Sequence, residues 1–264
     1  MERIRPPAVA GSFYPGNRAE LSAAVRGYLA DAETAGEGAA TPKALIAPHA
    51  GYIYSGPIAA SAYARIARGR DAIQRVVLLG PAHRVAVAGL AAPEVDAFAT
   101  PLGEVPLDRD ALERVLELPQ VRVFDAAHTL EHSLEVHLPF LQTILDDFVL
   151  VPLVVGDADP EAVAEVFDCL WGGEETLVVV STDLSHYSEY ATAQRMDAAT
   201  SEAIEALAPD RIEVEQACGR IPVQGLLLVA QRRGLRARTI DVRNSGDTAG
   251  PRDSVVGYGA YALA

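Results

Sequence analysis

The chain has 264 residues, of which 50% are hydrophobic and 22% are charged, and its net charge is −14 at pH 7. This acidic balance argues against a nucleic-acid partner, because nucleic-acid binding requires a basic face. No apolar run approaches the roughly 18 residues that a membrane helix needs, so we expect no membrane contact. The 2 cysteines make no disulfide framework and the first residues lack an apolar signal segment, so we expect a cytoplasmic protein.

Short runs of leucine and β-branched residues are typical of buried parallel strands when they end at glycine, proline or polar residues. Five such runs occur in chain order: Lys43–Pro48, Arg75–Gly80, Phe148–Val155, Thr176–Ser181 and Arg236–Val242. Val255–Leu263 has the same character and predicts a sixth strand, at or near an edge of the sheet. We further expect a hairpin within Val85–Pro106, where proline and glycine mark turns.

The segments between these strands have the apolar periodicity of amphipathic helices. Helices are predicted over Arg18–Ala32, Ile58–Ala67, Asp108–Leu116, Glu131–Leu145, Pro160–Leu170, Tyr190–Leu207 and from Pro222 to about Arg233, with a surface loop over Glu33–Pro42. Strands that alternate with helices indicate an α/β fold whose largely parallel sheet is covered on both faces. We expect residues 1–264 to form a single domain of this class.

Three histidines directly follow predicted strands, namely His49, His83 and His186, and Asp183 lies three residues before the last of them. Ligands of open α/β sheets bind beyond the carboxyl ends of the strands. A single histidine in such a position is usually a hydrogen-bonded rim residue. Three at one edge instead predict a metal-binding pocket, because imidazole is the commonest metal ligand among side chains.

Cys218 lies in Gln216–Pro222, a junction that contains a helix stop at Gly219 and a helix start at Pro222 and that can fall at the same edge of the sheet. Two interpretations stay open from the residues alone: a soft metal ligand, or a small buried hydrophobic side chain. Two histidines and one anionic ligand would leave coordination positions open, as in the facial triad of non-haem iron oxygenases. Fe(II), copper and zinc are all compatible with such a set.

A second cluster of polar residues lies within Ala127–Pro139 and contains His132, Glu135 and His137. On a helix, His132 and Glu135 would share a face, whereas His137 would point elsewhere. The spacing does not match the HExxH pattern of metalloproteases. These residues could line the pocket and orient a ligand imidazole, or they could form a helix start, with direct metal binding as a third alternative.

Six ordered motifs of the chain resemble those of the Memo family (mediator of ErbB2-driven cell motility). They are Ala8–Pro15 (AVAGSFYP), Ile46–Tyr52 (IAPHAGY), Leu79–His83 (LGPAH), Glu131–Pro139 (EHSLEVHLP), Ser181–His186 (STDLSH) and Cys218–Arg220 (CGR). The resemblance extends from about Pro6 to the C-terminus. Prokaryotic members of the family are often labelled protein B of the AmmeMemoRadiSam system.

This resemblance implies a fold shared with class III extradiol dioxygenases, which use non-haem Fe(II), and Fe(II) is the metal it favours here. It implies that His49, His83 and Cys218 bind the metal. It also implies that Asp183 and His186 line the same pocket, with His186 as the counterpart of the acid/base histidine of the ring-opening enzymes. The chain has isoleucine directly before Pro222, where the family pattern has histidine.

Three functions are compatible with these residues. The first is a metal-dependent redox enzyme in which His186 transfers a proton and Asp183 orients it. The second is a non-catalytic module in which Tyr52 and Tyr54 line a groove for a peptide or small ligand, and the third is a metal-handling or redox-sensing protein that responds through Cys218. The resemblance adds a radical-SAM protein and an AMMECR-type protein of the same system as partners.

Overall fold

A computed structural model describes residues 3–33 and 41–264 of the chain. Its strands are β1 (Ile4–Arg5), β2 (Ala44–Ala47), β3 (Arg75–Pro81), β4 (Leu90–Ala92), β5 (Ala97–Thr100), β6 (Gly103–Pro106), β7 (Val121–Val123), β8 (Val149–Val155), β9 (Thr176–Ser181), β10 (His186–Ser188), β11 (Ala237–Asn244) and β12 (Val255–Leu263). Its α-helices are α1 (Arg18–Glu33), α2 (Tyr52–Tyr63), α3 (Arg109–Leu116), α4 (Ala126–Thr129), α5 (Leu138–Ile144), α6 (Pro160–Leu170), α7 (Tyr190–Glu205) and α8 (Arg220–Arg233).

The central sheet has the strand order β10-β12-β2-β9-β3-β8-β4-β7, and β11 also pairs with β12. Its middle strands β2, β9, β3 and β8 are mutually parallel, whereas β12 and β4 run antiparallel to their inner neighbours. The residues of β2 and β9 are buried along their whole length, which explains their continuous apolar sequences.

Helices cover both faces of this sheet. Helices α1, α2 and α5 pack together on one face, where α2 contacts β2 and β12. On the other face α8 packs against β3, β9 and α6, and α7 packs against β11 and β12. The predicted three-layer α/β/α class with a mixed sheet is therefore confirmed. In the described part of the chain, no helix combines the length and the apolar character needed to span a membrane.

The parallel strands bring the predicted site residues to one edge of the sheet. Strands β2, β9 and β3 are consecutive neighbours, so the residues that follow Ala47, Ser181 and Pro81 emerge at the same carboxyl edge. The four central strands were predicted within two residues of their observed ends. Each is a short apolar run that ends at a glycine, a proline or a polar residue.

The prediction that Arg236–Val242 is a buried parallel strand is wrong. Strand β11 pairs antiparallel with β12, and most of its residues are only half-buried. Residues 245–254 between the two strands contain a short 3-10 turn and no α-helix. Parallel strands need a crossover connection of a dozen or more residues, usually a helix, so a short link gives the antiparallel arrangement. Val255–Leu263 does form a strand near the edge, as expected.

The predicted single helix over Glu131–Leu145 is also wrong, since a 3-10 turn at Glu135–His137 precedes the short helix α5. The Glu131 carboxylate accepts the backbone N–H groups of His132 and Ser133, which holds this stretch outside a helix. Helix α2 begins six residues before its predicted start at Ile58 and ends at Tyr63 rather than Ala67.

The predicted hairpin is confirmed as β5 and β6, which pair antiparallel within Val85–Pro106. Strand β1 adds to β5 and completes a small second sheet. From β1, Arg5 donates hydrogen bonds to the carbonyl oxygens of His128 and Glu131 and to the Glu135 carboxylate, at 2.6 to 2.7 Å. Most of the loop predicted over Glu33–Pro42 lies outside the described residues.

Gly219 should be a position where a methyl group destabilises the fold. A Cβ there would lie 2.4 Å from the Ser181 carbonyl oxygen and 2.7 Å from Thr182 Cβ. We expect Gly219→Ala to lower the free energy of unfolding by about 1–3 kcal/mol, measured by denaturant titration. Gly27→Ala in α1, where a Cβ meets nothing within 4 Å, is the matched control and should stabilise by roughly 0.5–1 kcal/mol. Equal stability of the two variants would contradict the close approach of Gly219 to β9.

Candidate metal centre

His49 follows β2 and is held by two groups from the end of β9. Its backbone N–H donates to Asp183 Oδ1 (2.8 Å), and its Nδ1 lies 2.6 Å from Ser181 Oγ. The Ser181 hydroxyl donates its single hydrogen to the Ser133 carbonyl oxygen (2.6 Å), so it must accept one from His49 Nδ1. The proton of His49 is therefore on Nδ1, and the lone pair of Nε2 is free to bind a metal.

His83 follows β3 and is held by the buried carboxylate of Glu131. The His83 backbone N–H donates to Glu131 Oε2 (2.6 Å), and its Nδ1 lies 2.9 Å from Oε1. Burial alone would raise the pKa of Glu131, but the hydrogen bonds from His83 and Ser133 lower it to about 2. The carboxylate is therefore charged and fixes the proton of His83 on Nδ1, which leaves Nε2 free.

His132 lies between His83 and the N-terminal segment. Its ring stacks on His83 with centroids 4.7 Å apart, and it contacts the Phe13 ring at 4.7 Å. Its Nδ1 is buried and makes no hydrogen bond, although Glu131 Oε1 lies 3.3 Å away. Burial lowers the pKa of His132 to about 4, so the ring is neutral near pH 7.

Ligand nitrogens of His49, His83 and His132 all lie within 4.8 Å of one another. Two nitrogens that share one ion are at most about 4 Å apart, since metal–nitrogen bonds are about 2.0–2.1 Å long. Only a small closing of the side chains would be needed. Burial and the neighbouring histidines hold the pKa of His49 well below its usual range, so its lone pair is available. The three-histidine cluster therefore fits a divalent metal ion.

The thiol of Cys218 lies beside this cluster. Its Sγ is 3.4 Å from His49 Nε2 and accepts the Asp183 backbone N–H at 3.3 Å. Burial, together with the nearby Asp183 carboxylate, raises the pKa of Cys218 to about 12, so the free side chain is a neutral thiol. A metal ion would remove this proton, because a coordinating thiol is deprotonated. Cys218 is thus within reach of the metal that His49 would bind.

Asp183 lies in the loop after β9, and His186 is the first residue of β10. Asp183 is buried, and its Oδ2 lies 4.0 Å from His49 Nε2. Burial raises the pKa of Asp183 to about 6, although the His49 backbone hydrogen bond acts in the opposite direction. His186 is exposed, and its Nδ1 lies 2.7 Å from the Leu184 carbonyl oxygen, which can only accept. Its proton is therefore on Nδ1, and Nε2 is left as an acceptor.

The remaining predicted pocket residues lie mostly in the core. Glu135 is fully buried and accepts hydrogen bonds from Arg5, two backbone N–H groups and Tyr14. His137 Nδ1 lies 2.8 Å from the Tyr63 hydroxyl. The Tyr52 hydroxyl donates to the Val136 carbonyl oxygen, and the side chain is 3% exposed. Tyr54 is half-buried on the first turn of α2.

Glu131, Ser181 and Ser133 orient the site but were not predicted to do so from the sequence. Glu131 belongs to the EHSLEVH motif, so its position next to His132 was a usable signal. Ser181 ends a buried strand, which places its hydroxyl at the ligand-binding edge. The hydrogen bond from Ser181 to Ser133 joins residues 48 positions apart, and no local pattern predicts it.

The fold and the site define a mixed α/β protein with a histidine cluster at the carboxyl edge of its sheet. A family model described as Memo-like protein matches residues 5–262. The chain therefore belongs to the Memo family. A MEMO1 family protein of Aquifex aeolicus is 36% identical, with 97% of each chain covered. A MEMO1 family protein of Aeropyrum pernix is 37% identical over 98% of this chain and 99% of its own.

One solved structure adds information on the fold. It is the crystal structure of the uncharacterized protein JW3007 from Escherichia coli K12, with a TM-score of 0.55 and 13% sequence identity. The match covers 81% of this chain and 98% of that chain. At this identity the likeness concerns the fold alone. It supports the α/β class with helices on both faces of the sheet that was expected from the sequence.

The Glu131 carboxylate should control metal affinity through His83. In Glu131→Gln the amide keeps one acceptor oxygen but presents an N–H₂ group to an N–H donor. We therefore expect metal affinity to fall about 10- to 100-fold, as is typical when the partner of a ligand histidine is lost. Competition titration with a chromophoric chelator measures the affinity, and Glu94→Gln, at an exposed carboxylate, is the control. Unchanged affinity in Glu131→Gln would exclude His83 as a ligand.

Proposed function

We propose that this protein is a metal-dependent redox enzyme of the oxygenase type that acts on a small molecule. The observation that carries the proposal is the group of three histidines at the carboxyl edge of the sheet, with a buried carboxylate and a thiol beside it. Their side chains supply nitrogen and sulfur donors suited to Fe(II), copper or zinc, and we favour Fe(II). Membership in the Memo family supports the same site.

His49 and His83 would hold the ion through their Nε2 atoms, because the Nδ1 atoms of both are engaged elsewhere. The third donor would be Cys218, as the family resemblance implies, or His132, which the spacing of the nitrogens favours. Either set of three protein ligands leaves open coordination positions, which is the requirement for a catalytic rather than a structural site.

A bound Fe(II) ion would supply one-electron chemistry that amino-acid side chains lack. His186 would accept a proton at Nε2, since its Nδ1 is bonded to the loop and its ring is exposed to incoming substrate. Asp183 would hold His49 in place through the backbone hydrogen bond.

A second candidate function is metal handling or redox sensing through Cys218. The observation that favours it is the 3.4 Å separation of Cys218 Sγ from His49 Nε2, which would couple oxidation of the sulfur to metal binding. In that case metal-loaded protein would resist alkylation at Cys218 and would consume no O₂. The partners expected from the sequence, a radical-SAM protein and an AMMECR-type protein, suit either function and belong to the same proposal.

Substitutions of two histidines should separate metal binding from turnover. We expect His49→Ala to lose stoichiometric iron because it removes a ligand that two hydrogen bonds orient. His186→Ala should keep the iron and lose O₂ consumption, since it removes only the exposed proton acceptor and no metal ligand. Iron content after anaerobic purification and O₂ uptake with a panel of catechols and other phenols measure the two properties. Full iron content in His49→Ala would refute the site, and no O₂ uptake by the wild type would favour the second candidate.

The third ligand can be identified with two further variants. If Cys218 is the ligand, Cys218→Ser should lower the affinity for Co(II) and abolish the near-ultraviolet charge-transfer band from sulfur to the metal. If His132 is the ligand, His132→Ala should lower the affinity, whereas Cys218→Ser leaves both affinity and spectrum close to those of the wild type. Cys169→Ser, at the other cysteine, which is exposed, is the control for thiol effects. If neither variant has a lower Co(II) affinity than the wild type, both proposed ligand sets would be contradicted.

A further inference from the structure

Tyr258 lies on β12, next to the loop that contains Asp183 and next to β10, which begins at His186. Gly257 accepts the Leu184 backbone N–H and donates its own N–H to the Ser185 carbonyl oxygen, each at 2.8 Å. These two hydrogen bonds fix the strand against the loop. A Cβ on Gly257 would meet Asp197 of α7, and side chains alternate along a strand. Tyr258 therefore points to the opposite face, where α2 lies.

The Tyr258 hydroxyl differs from the other buried tyrosine hydroxyls. Within residues 3–33 and 41–264 it has no hydrogen-bond partner, although the residue is only 2% exposed. The hydroxyl oxygen is not fully shielded from solvent, so a small molecule can reach it. The hydroxyls of the other buried tyrosines are all bonded, namely those of Tyr14, Tyr52, Tyr63 and Tyr261.

The surroundings of Tyr258 keep its hydroxyl protonated. Burial, followed by the charge of Asp183 and the neighbouring hydroxyls of Tyr54 and Tyr187, holds the pKa of Tyr258 well above its usual range. The hydrogen bonds between Gly257 and the Leu184–Ser185 segment place Tyr258 beside the residues that directly follow Asp183. A protonated phenol with no partner, at the end of a rigid ring, is a hydrogen-bond donor without an acceptor.

We propose that Tyr258 donates a hydrogen bond to an anionic group of the ligand that binds at the open positions of the metal centre. The inference rests on the proposed function and adds a residue that selects the ligand. Tyr258 would contribute by position and by its fixed proton, without a titration of its own. The ligand class that fits this donor is a small anion or a molecule that presents an anionic group to the metal.

Azide binding to the Co(II)-loaded protein, followed in the visible spectrum, tests this role with a small anionic probe. Tyr258→Phe keeps the ring and removes only the unpartnered hydroxyl. We expect it to weaken azide binding about tenfold, in line with one hydrogen bond to a charged group. Co(II) affinity and Tm should stay at wild-type values, because the hydroxyl bonds neither a ligand nor the core.

Tyr261→Phe is the matched control, since Tyr261 is a buried tyrosine of the same strand whose hydroxyl lies 2.8 Å from Ser201 Oγ on α7. It should lower Tm and leave azide binding unchanged. Equal azide affinity in Tyr258→Phe and the wild type would overturn the inference, as would a failure of the Co(II)-loaded wild type to bind azide. Failure of the wild type to bind Co(II) at all would instead refute the proposed metal site.

Discussion

Two buried carboxylates on one short segment, Glu131 and Glu135, impose the constraint on which the site depends. A buried charge is tolerated only when it is paired and hydrogen-bonded. Glu131 meets this requirement with N–H groups of His83, His132 and Ser133, and Glu135 meets it with Arg5, Tyr14 and the N-terminal backbone. Because Arg5 also binds the Glu131 carbonyl oxygen, the N-terminus, this segment and the histidines form one connected network.

The part of the site that follows the strands could be predicted from the sequence. His49, His83 and Asp183 were placed at one edge because β2, β3 and β9 are apolar runs with clear ends, and parallel neighbours share their carboxyl edge. This placement requires only local sequence patterns and the parallel direction of neighbouring strands. The same patterns predicted helices on both faces of the sheet, and these are present in the structure.

The part that depends on tertiary hydrogen bonds could not be predicted in this way. The apolar periodicity of residues 131–145 is helical. The hydrogen bonds of the Glu131 and Glu135 carboxylates nevertheless hold the first part of this segment in turns, and the His132 ring stacks on the His83 ring. Tyr258 was missed for a related reason, because its role depends on the antiparallel pairing of β12 with distant strands.

Burial has opposite effects on the two kinds of metal donor in this pocket. It lowers the pKa of His49 and His132, which keeps their nitrogens unprotonated, and it raises the pKa of Cys218 to about 12, which keeps its sulfur protonated. The histidines are therefore ready to bind a cation, whereas the thiol becomes a ligand only when a cation is close enough to displace its proton. The low-dielectric pocket thus favours a first contact with the imidazoles. If Cys218 is the third ligand, its sulfur, 3.4 Å from His49 Nε2, would lose its proton only in the presence of the metal.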